Sequence, residues 1–528
     1  MSHLLNLIPK FLLQNRAGFP YWFWVVLAFG IILRIASIFW NDRLLGDVNL
    51  FALTAKEYSE SGKLYYPIKY DFSLLTQWGE FKTPQSQHPP LWSFLAGVLG
   101  HSFGINNSYG ILQMLSLCSQ FLLMWVVYKV CIHFGRNCVI FVVSAIAISP
   151  MMIDFAGNGS QYTLGAGFMF MACLVLLGVV KGSYIRLFFG GILCGLAFCT
   201  HGTFVLNILA VLVVAIILGE SFQEKLLFSI FCILGFLLAL TPMLAFRLEH
   251  FGSIFHNLNS IYLGGVLGKL KLTDSKEGIF WMLDDEWFLS DVLKYAQNCL
   301  KVWSKFLVSL LWEWGPFSAF LAMFCFLIKR SRSLMIVFLF FASVMVPILL
   351  WPGFKTRFLL PLLPIFLLYS YLGFEAVKTR FPKFLKIGKI CRWGVPVWFG
   401  ISWICSIAVT GSPSRYYTFD LKHKKDYEEM LDLTRQMNAI EKATLIGSAK
   451  SLDGGVEGVY YHEFPYVHAR GFDWVLIQRI RRDYNAQYFW TDEIMLPKYE
   501  KNLKEMELLL QSGKFRLYRF EKSNGLTE

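Results

Sequence analysis

Long apolar stretches dominate this chain, separated by connectors that are either short and basic or long and polar. Runs such as 21–40, 111–130, 226–246 and 358–372 reach or approach the length a helix needs to cross a hydrocarbon core of about 30 Å. A bilayer offers no water to backbone N–H and C=O groups, so helices are the structure such runs adopt. The pattern predicts spans at 20–40, 109–130, 138–152, 162–180, 186–199, 203–218, 226–246, 314–328, 335–351, 358–371 and 393–410. The expected fold class is a polytopic α-helical membrane protein of about 11–13 transmembrane helices. The run 91–104 reads as a juxtamembrane helix, because counting it as a span inverts every later loop.

Beyond residue 411 the character changes. Charge density rises, helical periodicity returns at 427–440 and 499–510, and short strand-like runs stand at 444–447, 487–490 and 515–520. Alternating helix and strand predicts a small C-terminal α/β soluble domain on the non-cytoplasmic side. The expected division is a transmembrane domain over 1–411, with 41–108 as its first outer loop and juxtamembrane helices, and a soluble domain over 412–528. The segment 448–458 reads only as a Gly-bearing loop.

Composition agrees with a membrane protein. Of 528 residues, 55% are hydrophobic and 16% charged, where soluble globular proteins carry about a quarter charged residues; mean hydropathy is +0.49. A net charge of +13 raises the question of nucleic acid. The cations, however, gather in short connectors: Lys329, Arg330 and Arg332, then Lys378, Lys383, Lys386, Lys389 and Arg392. Basic short loops mark the cytoplasmic face, so the charge reports topology and nucleic acid is not an expected partner. An N-terminus inside puts the basic connectors inside, and the loops 41–88 and 247–301 and the tail outside. The compact connectors lean toward a bacterial inner membrane. The first apolar run is a full span without a small-residue cleavage site, so it reads as a retained helix rather than a signal peptide. The 11 cysteines form no CxxC pair or Cys/His cluster, which supports neither a zinc site nor a disulfide framework.

The polar features fall in a definite order. Gly46-Asp47 follows the first span, with Glu57, Tyr58 and a closing Gly62 in the stretch after it. Then come His88-Pro89-Pro90-Leu91, Phe103-Gly104, Ser149-Pro150 and Gln161-Tyr162-Thr163-Leu164. Gly191-x3-Gly195, Pro242 with Arg247 and Phe251-Gly252, and Arg357-Phe358-x2-Pro361-x2-Pro364 complete the series. This order resembles the GT-C-type superfamily of integral-membrane glycosyltransferases, which includes protein O-mannosyltransferases and lipid A aminoarabinose transferases. The resemblance runs over most of residues 20–380. It implies transfer of a sugar from a polyprenyl-phosphate donor to a hydroxyl on a glycolipid, polysaccharide or protein acceptor at the outer face of the membrane.

The chemistry such a reaction needs can be stated independently. A glycosidase uses two carboxylates because its leaving group must be protonated. A sugar on a lipid phosphate already has a good leaving group, so one carboxylate base and fixed cations near the phosphate suffice, with inversion. The resemblance places Asp47 as that base; the alternative is an Asp flanking a helix terminus. His88 stands where relatives carry a Lys or His that approaches the phosphate, and its charge depends on pH near neutrality. Arg357, beside Lys355, sits where the family carries an Arg; a guanidinium forks onto phosphate oxygens, whereas its alternative role is snorkelling. Arg247 is a second phosphate candidate.

Glu57, Asp154 and Gln161 are candidates for orienting substrate. The last two depart from the family pattern, which places a second acid further beyond the proline than Asp154 lies. His201 reads as a helix-break histidine. Relatives with a catalytic metal carry an acid just before the His88 position, where this chain has Gln87; a divalent cation therefore gains no support from the residues, and no other cofactor is implied. The competing class is a transporter or flippase of a lipid-linked saccharide. Transporters show inverted repeats and broken helices at mid-membrane, and neither is evident here.

Overall fold

Helices buried in lipid or protein must satisfy their own backbone, and the places where this chain fails to do so shape its architecture. The computed structural model describes residues 19–40, 47–66, 68–69, 83–84, 88–178, 184–252, 254, 270–275, 278–283, 289–327, 331–351, 356–410, 421–449, 464–469 and 473–520. Gly46, Gln87, Lys355 and most of 448–458 lie outside the described residues.

Helix α1 (Tyr21–Trp40) is followed by α2 (Asp47–Ser61), the short strands β1 (Tyr65–Tyr66), β2 (Ile68–Lys69) and β3 (Thr83–Pro84), and α3 (Leu91–Phe103). Next come α4 (Ser108–Ile132), α5 (Arg136–Ile148), α6 (Pro150–Gly157), α7 (Tyr162–Leu177), α8 (Tyr184–Thr200), α9 (Asn207–Leu218) and α10 (Phe222–Phe251). A hairpin of β4 (Leu270–Ser275) and β5 (Gly278–Leu283) leads to α11 (Leu289–Trp314), α12 (Pro316–Met323), α13 (Arg332–Leu350), α14 (Leu363–Arg380) and α15 (Leu385–Thr410). Five of the described helical segments have the length and apolarity to cross a membrane: α1, α4, most of α10, α13 and Arg357–Arg380. Two bent pairs qualify only together, α5 with α6 and α11 with α12, which brings the number to 7. Shorter apolar helices include α3, α7 and α8. The chain is a polytopic α-helical membrane protein with a small mixed sheet near its C-terminus.

The expected span 138–152 is broken. Ser149 is extended (φ −64°, ψ 122°) and Pro150 opens a new helix, bent 56° from the last. Proline has no N–H and disfavours a helical residue before it, so the last carbonyls of α5 lose their regular helical partners, and Ile146 keeps only the Ser149 N–H at 3.3 Å. Arg34, fully buried on α1, replaces them by donating to the carbonyls of Ile146 and Ala147, each at 2.8 Å. Trp403 of α15 donates to the Ile148 carbonyl at 3.3 Å. The approach requires Gly30, where a Cβ would lie 2.4 Å from the Ala147 oxygen.

The span expected at 314–328 is also remade. Gly315 takes φ +84° ahead of Pro316, the chain turns by 105°, and only the short α12 follows. Before it, α11 occupies part of what reads in sequence as loop. Its Trp303 indole donates to the Leu349 carbonyl at 2.7 Å, Cys299 Sγ meets the Leu350 carbonyl at 3.5 Å, and the Tyr295 hydroxyl donates to the same oxygen. The end of α13 is thereby capped by α11.

In the C-terminal part, α16 (Leu421–Met437), β6 (Leu445–Ser448), β7 (Tyr466–His468), α17 (Trp474–Asp483), β8 (Tyr488–Asp492), α18 (Leu496–Leu503), β9 (Glu507–Ser512) and β10 (Phe515–Arg519) follow. The sheet order is β2-β7-β6-β8-β10-β9, with β2, β7, β6 and β8 parallel and the last two strands antiparallel. Sequence periodicity predicted one helix over 499–510; instead it stops at Leu503 and 507–512 is strand. The turn at Gly513 (φ +53°) folds that strand back on β10, and a side chain there would strike the Glu429 carboxylate of α16. The edge strand β2 comes from the first loop, pairing Ile68 with Tyr466 and Lys69 with Val467.

Replacing Arg34 with Met would remove the side-chain donor from both carbonyls, leaving Ile146 with only the Ser149 N–H at 3.3 Å and costing about 1–3 kcal/mol at the Ala147 oxygen. Thermal unfolding of detergent-solubilised protein should show Arg34→Met clearly below wild type and Arg34→Lys between them; an unchanged midpoint for Arg34→Met contradicts the capping role.

Candidate active site

Helix N-termini leave backbone N–H groups unpaired and carry the positive end of the helix dipole. Three of them meet here. Asp47 occupies the first turn of α2, His88 and two prolines lead into α3, and Tyr162 is the first residue of α7. The starts of α3 and α7 have no side-chain cap hydrogen bond. Arg357 arrives from a 3-10 segment, Thr356–Leu362, that precedes α14. A site built from such ends favours an anion.

Arg357 and Asp47, 310 residues apart in sequence, form an ion pair through Nη2 and Oδ2. Arg357 Nε donates to the Tyr162 hydroxyl at 3.0 Å. His88 Nε2 lies 3.9 Å from Asp47 Oδ1, too far for a hydrogen bond but close enough for charge to matter. The three side chains remain 13–25% exposed, so they sit at an opening rather than in a sealed core. The His88 ring meets Phe51 edge-on at 5.2 Å and stacks at 6.3 Å from His201. His201 lies in the break between α8 and the turn Gly202–Phe204, with its ring 4.5 Å from that of Tyr162. Its Nδ1 accepts the Thr203 backbone N–H at 3.2 Å, so a neutral ring carries its proton on Nε2.

Burial pulls the His88 pKa below its ordinary 6.5; Asp47 raises it in part and Arg357 lowers it further. At neutral pH the ring is therefore uncharged, while the permanent cation is Arg357.

No family model matches the sequence, and no curated protein matches it. Solved structures do. ArnT from Cupriavidus metallidurans bound to undecaprenyl phosphate is 13% identical, with a TM-score of 0.54 over 94% of this chain and 98% of that one. Oligosaccharyltransferase AglB from Archaeoglobus fulgidus, in complex with an inhibitory peptide and a dolichol-phosphate, is 12% identical. Its TM-score is 0.51, with 90% of this chain and 70% of that chain covered. Arabinofuranosyltransferase AftD from Mycobacteria is 13% identical with a TM-score of 0.51, over 94% of this chain and 41% of that chain. This chain shares its overall fold with these three proteins.

On that fold the residues singled out from the sequence divide. Asp47, His88 and Arg357 come together. Gln161 is buried immediately before Tyr162, its Nε2 without a hydrogen-bond partner among the described residues. Glu57 lies ten residues along α2 from Asp47, about 15 Å at the helical rise, and accepts the Ser61 hydroxyl at 2.7 Å. Asp154 is fully buried in α6, which packs on α1 and α4; the charges that act on His88 are Asp47 and Arg357. Arg247, near the end of α10, reaches the Ile254 carbonyl at 3.5 Å. Lys355 lies outside the described residues. Tyr162 and His201, neither of them among the candidates above, also stand at the site. The available signal was position, since both residues fall at helix ends on the side of the bundle where Asp47 and Arg357 stand.

The depressed pKa of His88 has a measurable consequence. Below pH 6.5 the unfolded chain takes up a proton that folded His88 resists, so stability falls as pH drops through that range. The difference in unfolding midpoint between wild type and His88→Asn should shift against wild type from pH 7 to pH 5. A constant difference contradicts the burial of a neutral imidazole.

Proposed function

We propose that this chain is a polyprenyl-phosphate-dependent glycosyltransferase, moving a sugar from a lipid-linked donor to an acceptor hydroxyl at the outer face of the membrane. The observation that carries the reading is the meeting of Asp47, Arg357 and His88 at converging helix N-termini on this fold. It is supported by the undecaprenyl phosphate and dolichol-phosphate bound by ArnT and AglB.

The acceptor oxygen attacks the anomeric carbon as the bond from that carbon to the phosphate oxygen breaks. The acceptor proton passes to Asp47, and polyprenyl phosphate leaves. Its phosphate goes from diester to monoester and gains a negative charge, so charge develops where a cation is needed. Arg357 supplies it, and the helix N-termini add to the same field. His88 contributes a hydrogen bond without a second permanent charge. A single attack from the face opposite the phosphate inverts the anomeric carbon. Asp47 can accept a proton only once the Arg357 pair loosens, and the incoming phosphate is the competitor that loosens it.

A bacterial inner membrane, with residues 412–528 as a separate unit on the non-cytoplasmic side, completes the reading. Strand β2 ties the first loop to the C-terminal sheet, which supports a covering role for that unit over the site. Glycolipid, polysaccharide and protein acceptors all present the required hydroxyl.

The test is label transfer from a radiolabelled polyprenyl-phosphate sugar to an acceptor extract by purified protein. Asp47→Asn should reduce transfer by about 10²–10⁴ while still retaining the lipid. Translocation without transfer in wild type and variant alike would instead favour a flippase and overturn the proposal.

A further inference from the structure

Two of the holds on Arg357 come from different groups, and only one of these belongs to the group proposed as the base. Nη2 pairs with Asp47, while Nε donates to the Tyr162 hydroxyl at 3.0 Å. A guanidinium is planar, so fixing Nε fixes the direction in which the two Nη groups point. Tyr162 is well placed to serve as that fixed point. It is 2% exposed, it opens α7, and its ring is gripped by His201 at 4.5 Å, Phe358 at 6.0 Å and the edge of Phe155 at 6.4 Å. His201 is in turn held by the Thr203 backbone amide. The Arg357 guanidinium carbon also lies 5.9 Å from the centre of the Tyr162 ring.

We propose that Tyr162 is a positioning residue: its hydroxyl keeps the Nε of Arg357 in place while donor phosphate displaces Asp47 from Nη2. The inference rests on the donor reading given above. Losing that anchor would leave an arginine released from Asp47 with one fewer fixed point, and ordering it anew would weaken phosphate binding. With the anchor, exchange of carboxylate for phosphate needs no reorientation of the guanidinium.

The probe is radiolabelled undecaprenyl phosphate, retained by detergent-purified protein, in a double-mutant cycle. Tyr162→Phe keeps the ring and removes only the hydroxyl, so the fold is preserved; a monodisperse elution profile checks this. Its expected effect is about tenfold weaker retention, the scale of one hydrogen bond to a charged group. In an Arg357→Lys background, which has no Nε–H, the same substitution should change retention less than about twofold. Equal retention by wild type and Tyr162→Phe overturns the proposal. So does a loss of the same size in both backgrounds, because Tyr162 would then act independently of Arg357. Wild-type protein that retains no lipid refutes the donor reading itself, which separates the two failures.

Discussion

One ion pair organises this molecule. Asp47 comes from the start of α2 and Arg357 from the turn before α14, and no local structure brings them together. Each is placed by a helix end, and their union requires the intervening bundle to be packed as it is. The pair also sets the electrostatic problem. A carboxylate neutralised by a guanidinium is a poor base, and a guanidinium satisfied by a carboxylate is a poor phosphate ligand. Either function demands that the pair exchange for something else. On the proposed function, a phosphate entering among three helix N-termini would provide the exchange, and the salt bridge would be a resting state rather than structural glue.

The rest of the bundle keeps those helix ends where they are. Breaks at Ser149-Pro150 and Gly315-Pro316 would be costly in lipid if the freed carbonyls had no donor. Arg34 and Trp403 supply donors at the first break. A buried arginine inside a span is ordinarily a sign of function; here its hydrogen bonds go to backbone carbonyls, and its work is to let α5 end so that α6 and the loop before α7 can carry Tyr162 to the site. Close contact of α8 and α10 has the same logic. A Cβ on Gly191 would lie 2.1 Å from the Cys232 carbonyl, and one on Gly235 the same distance from that of Phe188, so small residues let the two backbones touch.

Much of this was legible in the sequence, and the reasons differ by residue. Asp47, His88 and Arg357 stand in polar motifs at helix ends, where chemistry-bearing residues have few structural excuses. Glu57 had the same local appearance, but a helix carries it too far along its axis from Asp47. Tyr162 was visible within a motif and yet indistinguishable from the other aromatics of an aromatic-rich chain, because its role depends on a partner distant in sequence. The helical period expected at 499–510 gives way to a strand that the Gly513 turn folds back on β10, and the Lys514 N–H after that turn donates to the Glu429 carboxylate at 3.0 Å. Strand β2 could not be read at all, since two residues acquire a strand identity only by pairing with β7.

The most direct test is a structure of this protein with undecaprenyl phosphate bound. The account predicts the phosphate within hydrogen-bonding reach of Arg357, about 3 Å, with Asp47 released from Nη2 and turned toward the side from which the acceptor hydroxyl enters. A phosphate bound elsewhere, with the Arg357–Asp47 pair still closed, would contradict it.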